Sequence, residues 1–292
     1  MFRNSIKSLL VKYNRFSGLY LSMLERMNIA TSKGAISQAL RKIDEKDPET
    51  WEFSCFSQNG EDGIIEFLTS KILEPNKYFI EIGSSDGLEN NSAFLAFVLK
   101  YGGLMIEGDA FKSNLSKACL ERFNHGVKHI HAFMNAENAA DILEKNAIVK
   151  NPDFFSLDID GNDFYIMESI LKDGMRPKII CVEYNSTYGP ENAITIMYDP
   201  AFNYWKAHPT HWYYGVSIAG WRKLLGAHGF EFITVDSNGV NAFFIDPACF
   251  PNAFSAQIKK LSFKENFATY NRTRMSWERQ FDQISKLQFH NI

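Results

Sequence analysis

Hydrophobic and polar positions change period several times along the chain, and the changes mark its elements. Between about residues 4 and 28, Leu9, Leu10, Tyr13, Phe16, Tyr20, Leu24 and Met27 recur at helical spacing. Arg3, Lys7, Lys12, Arg15 and Arg26 accompany them, with Glu25 as the only acid. This predicts a basic amphipathic helix, suited to packing on its own domain, on a dimer mate or on a membrane surface. Lys7, Lys12 and Arg15 interrupt the apolar residues, so the segment does not read as a signal peptide. Residues 42–52 are polar and read as a linker. From residue 78, short apolar runs alternate with helical ones. Strands are expected at 78–82, 104–106, 127–133, 154–159 and 178–182. Helices are expected between them, the first capped by Asn91 or Ser92 and stopped at Gly102. The third lies over 138–148. An aromatic-rich insertion, read as a lid, covers 184–215. Ile218, Trp221, Leu224 and Leu225 then mark a helix. Strands at 230–235 and 241–245 follow, joined by Asp236-Ser237-Asn238-Gly239, where Asn-Gly favours a hairpin.

Five alternating units predict an α/β fold with a mostly parallel, Rossmann-like sheet. The last helix and hairpin bring the count to seven strands. The expected division is a helical extension over 1–50, a domain over 51–250 that contains the lid, and a helical extension over 251–292. The last is basic at Lys259, Lys260, Arg272 and Arg274 and suits docking. A chain of 292 residues fits one such domain with extensions. Its 25 phenylalanines, within a 45% hydrophobic composition, supply a core and an apolar cleft lining. The net charge of −3 gives no basic field for nucleic acid. Cys55, Cys119, Cys181 and Cys249 are scattered, forming neither a metal set nor a disulfide framework. That usage fits a reducing, cytoplasmic compartment. No apolar run is long enough to cross a bilayer. Peripheral membrane contact or dimerisation would fall to the N-terminal helix.

Candidate chemistry gathers at the expected strand ends. Phe79-Ile80-Glu81-Ile82-Gly83-Ser84-Ser85-Asp86-Gly87 runs from an apolar strand into a glycine turn, where open α/β sheets bind ligands. Its Gly-x-x-x-Gly spacing lacks the pyrophosphate cradle of Gly-x-Gly-x-x-Gly and fits a nucleoside without phosphates. Glu107 stands 20 residues beyond Gly87, placed for the two hydroxyls of a ribose. Glu81 is placed for an ammonium. Asp158, Asp160, Asn162 and Asp163 follow strand four, and Glu183 and Asn185 follow strand five. Their oxygens suit a divalent cation such as Mg²⁺ or Mn²⁺, with Asp158, Asp160, Glu183 and Asn185 as ligands. Such an ion would lower the pKa of a substrate hydroxyl. Without metal, the same side chains would bind substrate or cap the next helix. His211, in the lid with His208, is a candidate general base or further ligand. Tyr184, Tyr188, Tyr198, Tyr204, Trp205, Trp212 and Tyr213 suit stacking on a flat substrate, or a small core within the lid. His125, His129 and His131 read as structural.

Four motifs stand out together: Phe56-Ser57-Gln58-Asn59-Gly60-Glu61-Asp62-Gly63, Glu81-Ile82-Gly83, Glu107-Gly108-Asp109 and Leu157-Asp158-Ile159-Asp160-Gly161. With them, over roughly 53–250, the chain resembles the FkbM-like branch of the S-adenosylmethionine-dependent methyltransferases. The family form of the last motif is Asp-x-Glu-Gly, and Asp160 is shorter. The terminal hairpin agrees with a seven-strand methyltransferase sheet and is lacking in a plain dinucleotide dehydrogenase. The resemblance implies S-adenosylmethionine as cofactor, with the Gln58 to Asp62 segment folded over it. Gln58, Asn59, Asp62, Glu81, Gly83, Ser84, Gly87, Glu107 and Asp109 are then the expected cofactor-binding residues, and Asp158, Asp160 and His211 the expected catalytic ones. The acceptor implied is a hydroxyl on a sugar, a surface-polysaccharide precursor or a related small molecule. Alternatives are methylation of nitrogen or a phosphorus-linked oxygen on a nucleotide-activated group, nicotinamide-dependent oxidation, and a non-catalytic scaffold in glycan assembly.

Overall fold

The computed structural model describes residues 27–32, 34–35 and 40–292. The helix expected over 4–28 lies outside the described residues, save for Met27 and Asn28. The strands are β1 (Tyr78–Ile82), β2 (Gly102–Glu107), β3 (Val127–His131), β4 (Phe154–Leu157), β5 (Ile179–Glu183), β6 (Ile194–Ile196), β7 (Glu231–Val235), β8 (Asn241–Ile245) and β9 (Phe289–Asn291). The helices are α1 (Glu61–Ser70), α2 (Ala93–Phe97), α3 (Ala110–Leu120), α4 (Ala139–Asn146), α5 (Asp163–Lys172), α6 (Tyr204–Ala207), α7 (Ile218–Ala227), α8 (Phe267–Thr273) and α9 (Trp277–Ile284).

Seven strands form one sheet in the order β3-β2-β1-β4-β5-β8-β7. β1 to β5 are parallel, and β8 is antiparallel to both β5 and β7. Every residue of β1, β4 and β8 is buried, as expected of strands covered on both faces. Alternate side chains feed two cores. Ile80, Ile82, Leu104, Ile106, Phe155 and Leu157 pack with Ile166, Met167 and Ile170 of α5. Phe79, Met105, Phe154 and Cys181 pack with Ile64, Ile65 and Leu68 of α1 on the other face. The chain leaves β1 towards β2 and β3, then returns to β4 on the other side, which creates a switch point between β1 and β4. Ile82 is level with Ile106 and Leu157, and Leu157 with Val182, so the parallel strands end along one edge. The hairpin turn joins that edge because Asn241 pairs with Glu183. Gly239 (φ 74°) and the Asp236 carboxylate, which accepts the Asn238 and Val240 N–H groups, shape the turn.

Several expectations are corrected by packing. Residues 42–52 are no free linker: Trp51 is fully buried and stacks on Phe67 with ring centroids 3.9 Å apart. Arg41 meets Glu66 at 2.6 Å beside it. Trp51→Ala is expected to destabilise the fold by about 3–5 kcal/mol in urea unfolding. Gly102 begins β2 instead of ending a helix, and α2 stops at Phe97. The C-terminal extension is not only helical. It ends in β9, which pairs antiparallel with β6 of the lid, His290 opposite Thr195. Tyr188, Ile194 and Trp212 from the lid share a small core with Ile284 of α9. Lid and C-terminal arm are therefore one packed unit. No helix among the described residues is long and apolar enough to cross a membrane.

Candidate functional site

A cleft of about 710 Å³ opens at the ends of the parallel strands. Its size is that of a cofactor or small-molecule site. Its walls come from the turns after β1, β2, β3 and β4, the loop before α1, the lid and the start of β8.

The turn after β1 depends on Gly83. Its φ of 88° suits glycine, and a Cβ there would sit 1.7 Å from the Asp158 carbonyl oxygen. Gly83 and Ser84 N–H groups donate to the Ile106 carbonyl at 2.9 and 3.2 Å, which ties the turn to β2. Gly83 and Ser85 line the cleft. Ser84 does not: it is buried, and its carbonyl accepts Asn90 Nδ2. Gly87 (φ 75°) is also set back, where a Cβ would strike Ser116 of α3. Glu107 lines the cleft with both oxygens oriented, Oε2 by the Ser85 N–H and Oε1 by the Asp109 N–H, each at 2.8 Å. Asp109 caps α3 through the Phe111 and Lys112 N–H groups. Those bonds, with the nearby Lys112 charge, hold its pKa below the ordinary value.

The loop before α1 supplies Ser57, Gln58, Asn59 and Glu61 to the cleft wall. Asp62 is fully buried beneath it. Its Oδ2 gathers the N–H groups of Cys55, Phe56 and Ser57 at 2.6, 2.6 and 3.0 Å. Burial pushes its pKa to about 7. Asp62 therefore shapes the loop that Gln58 and Asn59 present. Glu81 reaches the cleft but is 3% exposed. It accepts the N–H groups of Asn91 and Ser92 and the Ser92 hydroxyl, and burial raises its pKa to about 7. Its main partners are thus the residues that start α2.

Past β4 and β5 the acids converge. Asp158, Asp160 and Glu183 have carboxylate oxygens within 4.8 Å of one another. Asp158 and Glu183 share a hydrogen bond. Burial, then repulsion from Asp160 and Asp163, pushes Asp158 well above the carboxylate range. Burial and the Asp158 charge do the same to Glu183. Asp160, at φ 54°, is the exposed member of the three; partial desolvation raises its pKa and the Lys112 charge eases it. Asp163 folds the turn by accepting the Ile159 and Gly161 N–H groups at 3.0 and 2.8 Å. The three clustered carboxylates have the donor chemistry for a divalent cation. Asn185 does not join them. Its Oδ1 accepts the Thr187 N–H, and its Nδ2 donates to the Trp212 and Tyr214 carbonyls at 2.8 and 3.0 Å. The amide is consumed in holding the lid, which corrects the expectation of a metal ligand.

His211 is not on the cleft wall. Its ring packs against Tyr204 and Trp205 at centroid distances of 5.4 and 5.1 Å, and Tyr204 is the residue that faces the cleft. The expected base is thereby set one ring back, so a direct catalytic role is not supported. His208 turns its Nδ1 to Thr210 at 2.8 Å. His129 contacts Ser116 at 3.1 Å, and burial lowers its pKa to about 4, as a structural histidine. Sequence reasoning passed over Asn91, Lys112, Phe133 and Asn241, all of which line the cleft. Asn241 alone carried a usable signal, since antiparallel pairing of the fifth and last expected strands sets it opposite Glu183.

No family model matches the chain, and no curated protein matches it, so the FkbM-like resemblance rests on the motifs quoted above. Among solved structures, a human methyltransferase 10 domain containing protein is 10% identical, with 63% of this chain and 80% of that one covered and a TM-score of 0.40. The O-methyltransferase from Bacillus cereus in complex with SAH is 14% identical over 76% of this chain and 88% of that one, with a TM-score of 0.41. A SAM dependent methyltransferase from Aquifex aeolicus is 13% identical over 70% and 97%, with a TM-score of 0.38. All are distant, and the functional reading rests on this chain's own residues.

Proposed function

We propose that the chain is an S-adenosylmethionine-dependent O-methyltransferase acting on a hydroxyl of a neutral, sugar-like small molecule. The charge of the cleft carries the reading. Glu61, Glu81, Glu89, Glu107, Asp109, Asp158 and Asp160 line it, and among the described residues Lys112 is the only lysine or arginine there. Such a wall attracts a sulfonium and an ammonium and repels a pyrophosphate. It disfavours both a nicotinamide dinucleotide and a nucleotide-activated acceptor. The FkbM-like motifs agree, since Gln58, Asn59 and Glu107 all face the cleft.

Bound there, S-adenosylmethionine supplies a methyl group on a positively charged sulfur. The protein's own residues do the rest. Glu107 is oriented to accept hydrogen bonds from a ribose. Asp158, held by Glu183, accepts the proton of the acceptor hydroxyl as its oxygen attacks. Phe202, Asn203 and Tyr204 close the acceptor side and fix its approach. Because Asp158 must be ionised, the rate is expected to climb about tenfold per pH unit below the raised pKa of the pair and then level off. A profile flat from pH 5 upward would contradict this role. A methyl-tritiated donor, offered with neutral and phosphorylated monosaccharides, tests the acceptor class. Label is expected in neutral sugars; label confined to phosphorylated ones would overturn that assignment.

A second reading has its own observation, the three carboxylate oxygens within 4.8 Å. Asp158, Asp160 and Glu183 would hold a divalent cation that acidifies the hydroxyl in place of the carboxylate base. Loss of turnover in EDTA, restored by Mg²⁺ or Mn²⁺, would select this reading. Turnover unaffected by EDTA selects the carboxylate base.

A further inference from the structure

We infer that Glu61 and Asn241 form the subsite that receives the α-ammonium at the amino-acid end of the cofactor. The inference rests on the S-adenosylmethionine reading and deepens it. Glu61 opens α1 and Asn241 opens β8, far apart in sequence, and both line the cleft. They are 1% and 4% exposed.

Glu61 Oε1 accepts Asn241 Nδ2 at 2.8 Å and Asn59 Nδ2 at 2.9 Å, and Oε2 accepts the Asn59 N–H at 2.6 Å. All three donors are neutral amides. Among the described residues Glu61 makes no ion pair. A carboxylate buried without a cation is costly to the fold. Its field is felt next door, where burial and then the Glu61 charge push Asp236 to about 8.

The amide of Asn241 can face only one way. Its NH₂ must meet the Glu61 carboxylate, because the reversed amide would set oxygen against oxygen. Oδ1 is left buried, with no donor among the described residues. A buried acceptor that lacks a donor thus adjoins a buried carboxylate that lacks a cation. One ammonium supplies both. Lys112, which among the described residues is the lysine that lines the cleft, does not: its charge acts on Asp109 and Asp160. Along the sheet edge, the order β2-β1-β4-β5-β8 sets Asp158 between Glu107 and Asn241. The reacting sulfur then falls beside the proposed base.

Calorimetric titration of the wild type, Asn241→Ala and Glu61→Gln with S-adenosylmethionine and with 5′-methylthioadenosine tests the subsite. The second ligand keeps the adenosine and sulfur but has no amino-acid end. Each substitution is expected to weaken S-adenosylmethionine about tenfold or more and leave 5′-methylthioadenosine within about twofold. Unchanged S-adenosylmethionine affinity in both variants would overturn the subsite alone. Equal losses for both ligands would also overturn it, since the residues would then serve the adenosine end or the fold. A wild type that binds 5′-methylthioadenosine but not S-adenosylmethionine would overturn the reading beneath it.

Discussion

Asp158→Asn is expected to lower methyl transfer by about 100-fold or more while making the folded protein more stable at pH 8. The two effects have one cause. Asp158 sits with Glu183, Asp160 and Asp163, and its pKa is raised by burial and then by Asp160 and Asp163. Folding raises the pKa of a buried acid only by disfavouring its charged form. The contribution to stability is therefore complete below the ordinary carboxylate range and is lost as pH rises through the raised value. Asp62 and Glu81, both pushed to about 7, and Asp163, pushed to about 6, act in the same direction. The wild type should lose stability from near pH 4 to above pH 7. Removing one charge relieves part of that cost, on the order of 1 kcal/mol or about 2 °C in Tm. Thermal melts at pH 5 and pH 8 read it directly: the variant should match the wild type at the lower pH and exceed it at the higher. A variant less stable at pH 8 would show that the cluster binds its charges well, as an ion-filled site does.

Gly83→Ala is expected to cost more than about 3 kcal/mol and to abolish cofactor binding. The added Cβ would meet backbone, the Asp158 carbonyl at 1.7 Å, at a φ of 88°. No side chain can move aside to accept it, so β1 and β4 must separate at the switch point. Gly226→Ala is the matched control. That glycine lies within α7, with nothing within 4 Å of an added Cβ, so alanine there should stabilise by about 0.5–1 kcal/mol. Denaturant unfolding of both variants separates backbone geometry from a general intolerance of substitution.

The main sheet was legible because its strands are apolar runs bounded by clear turns. β1 and β8 match the expected 78–82 and 241–245 in full. The Asp236-Ser237-Asn238-Gly239 turn had only one reading. β9 was hidden because Phe289, His290 and Asn291 carry no strand pattern of their own and are ordered by β6, far away in sequence. Trp51 was hidden in a polar stretch for the same reason, its stacking partner being Phe67 on α1.

At the site, residue types were legible and their remaining hydrogen-bonding capacity was not. Asn185 looked like a ligand because it follows β5, yet the lid uses its amide. Asp62 belonged to a recognisable motif, but its carboxylate is turned inward to three N–H groups. His211 had suitable chemistry and lies behind Tyr204. Conversely, Glu61 and Asn241 meet across 180 positions of sequence, which no local spacing announces.

Whether this acid-lined cleft holds S-adenosylmethionine is decided by calorimetric titration of the purified protein with S-adenosylmethionine and, separately, with NADH. The cleft charge predicts binding of the first and none of the second. Binding of NADH, with no heat from S-adenosylmethionine, would assign the cleft to a dinucleotide instead.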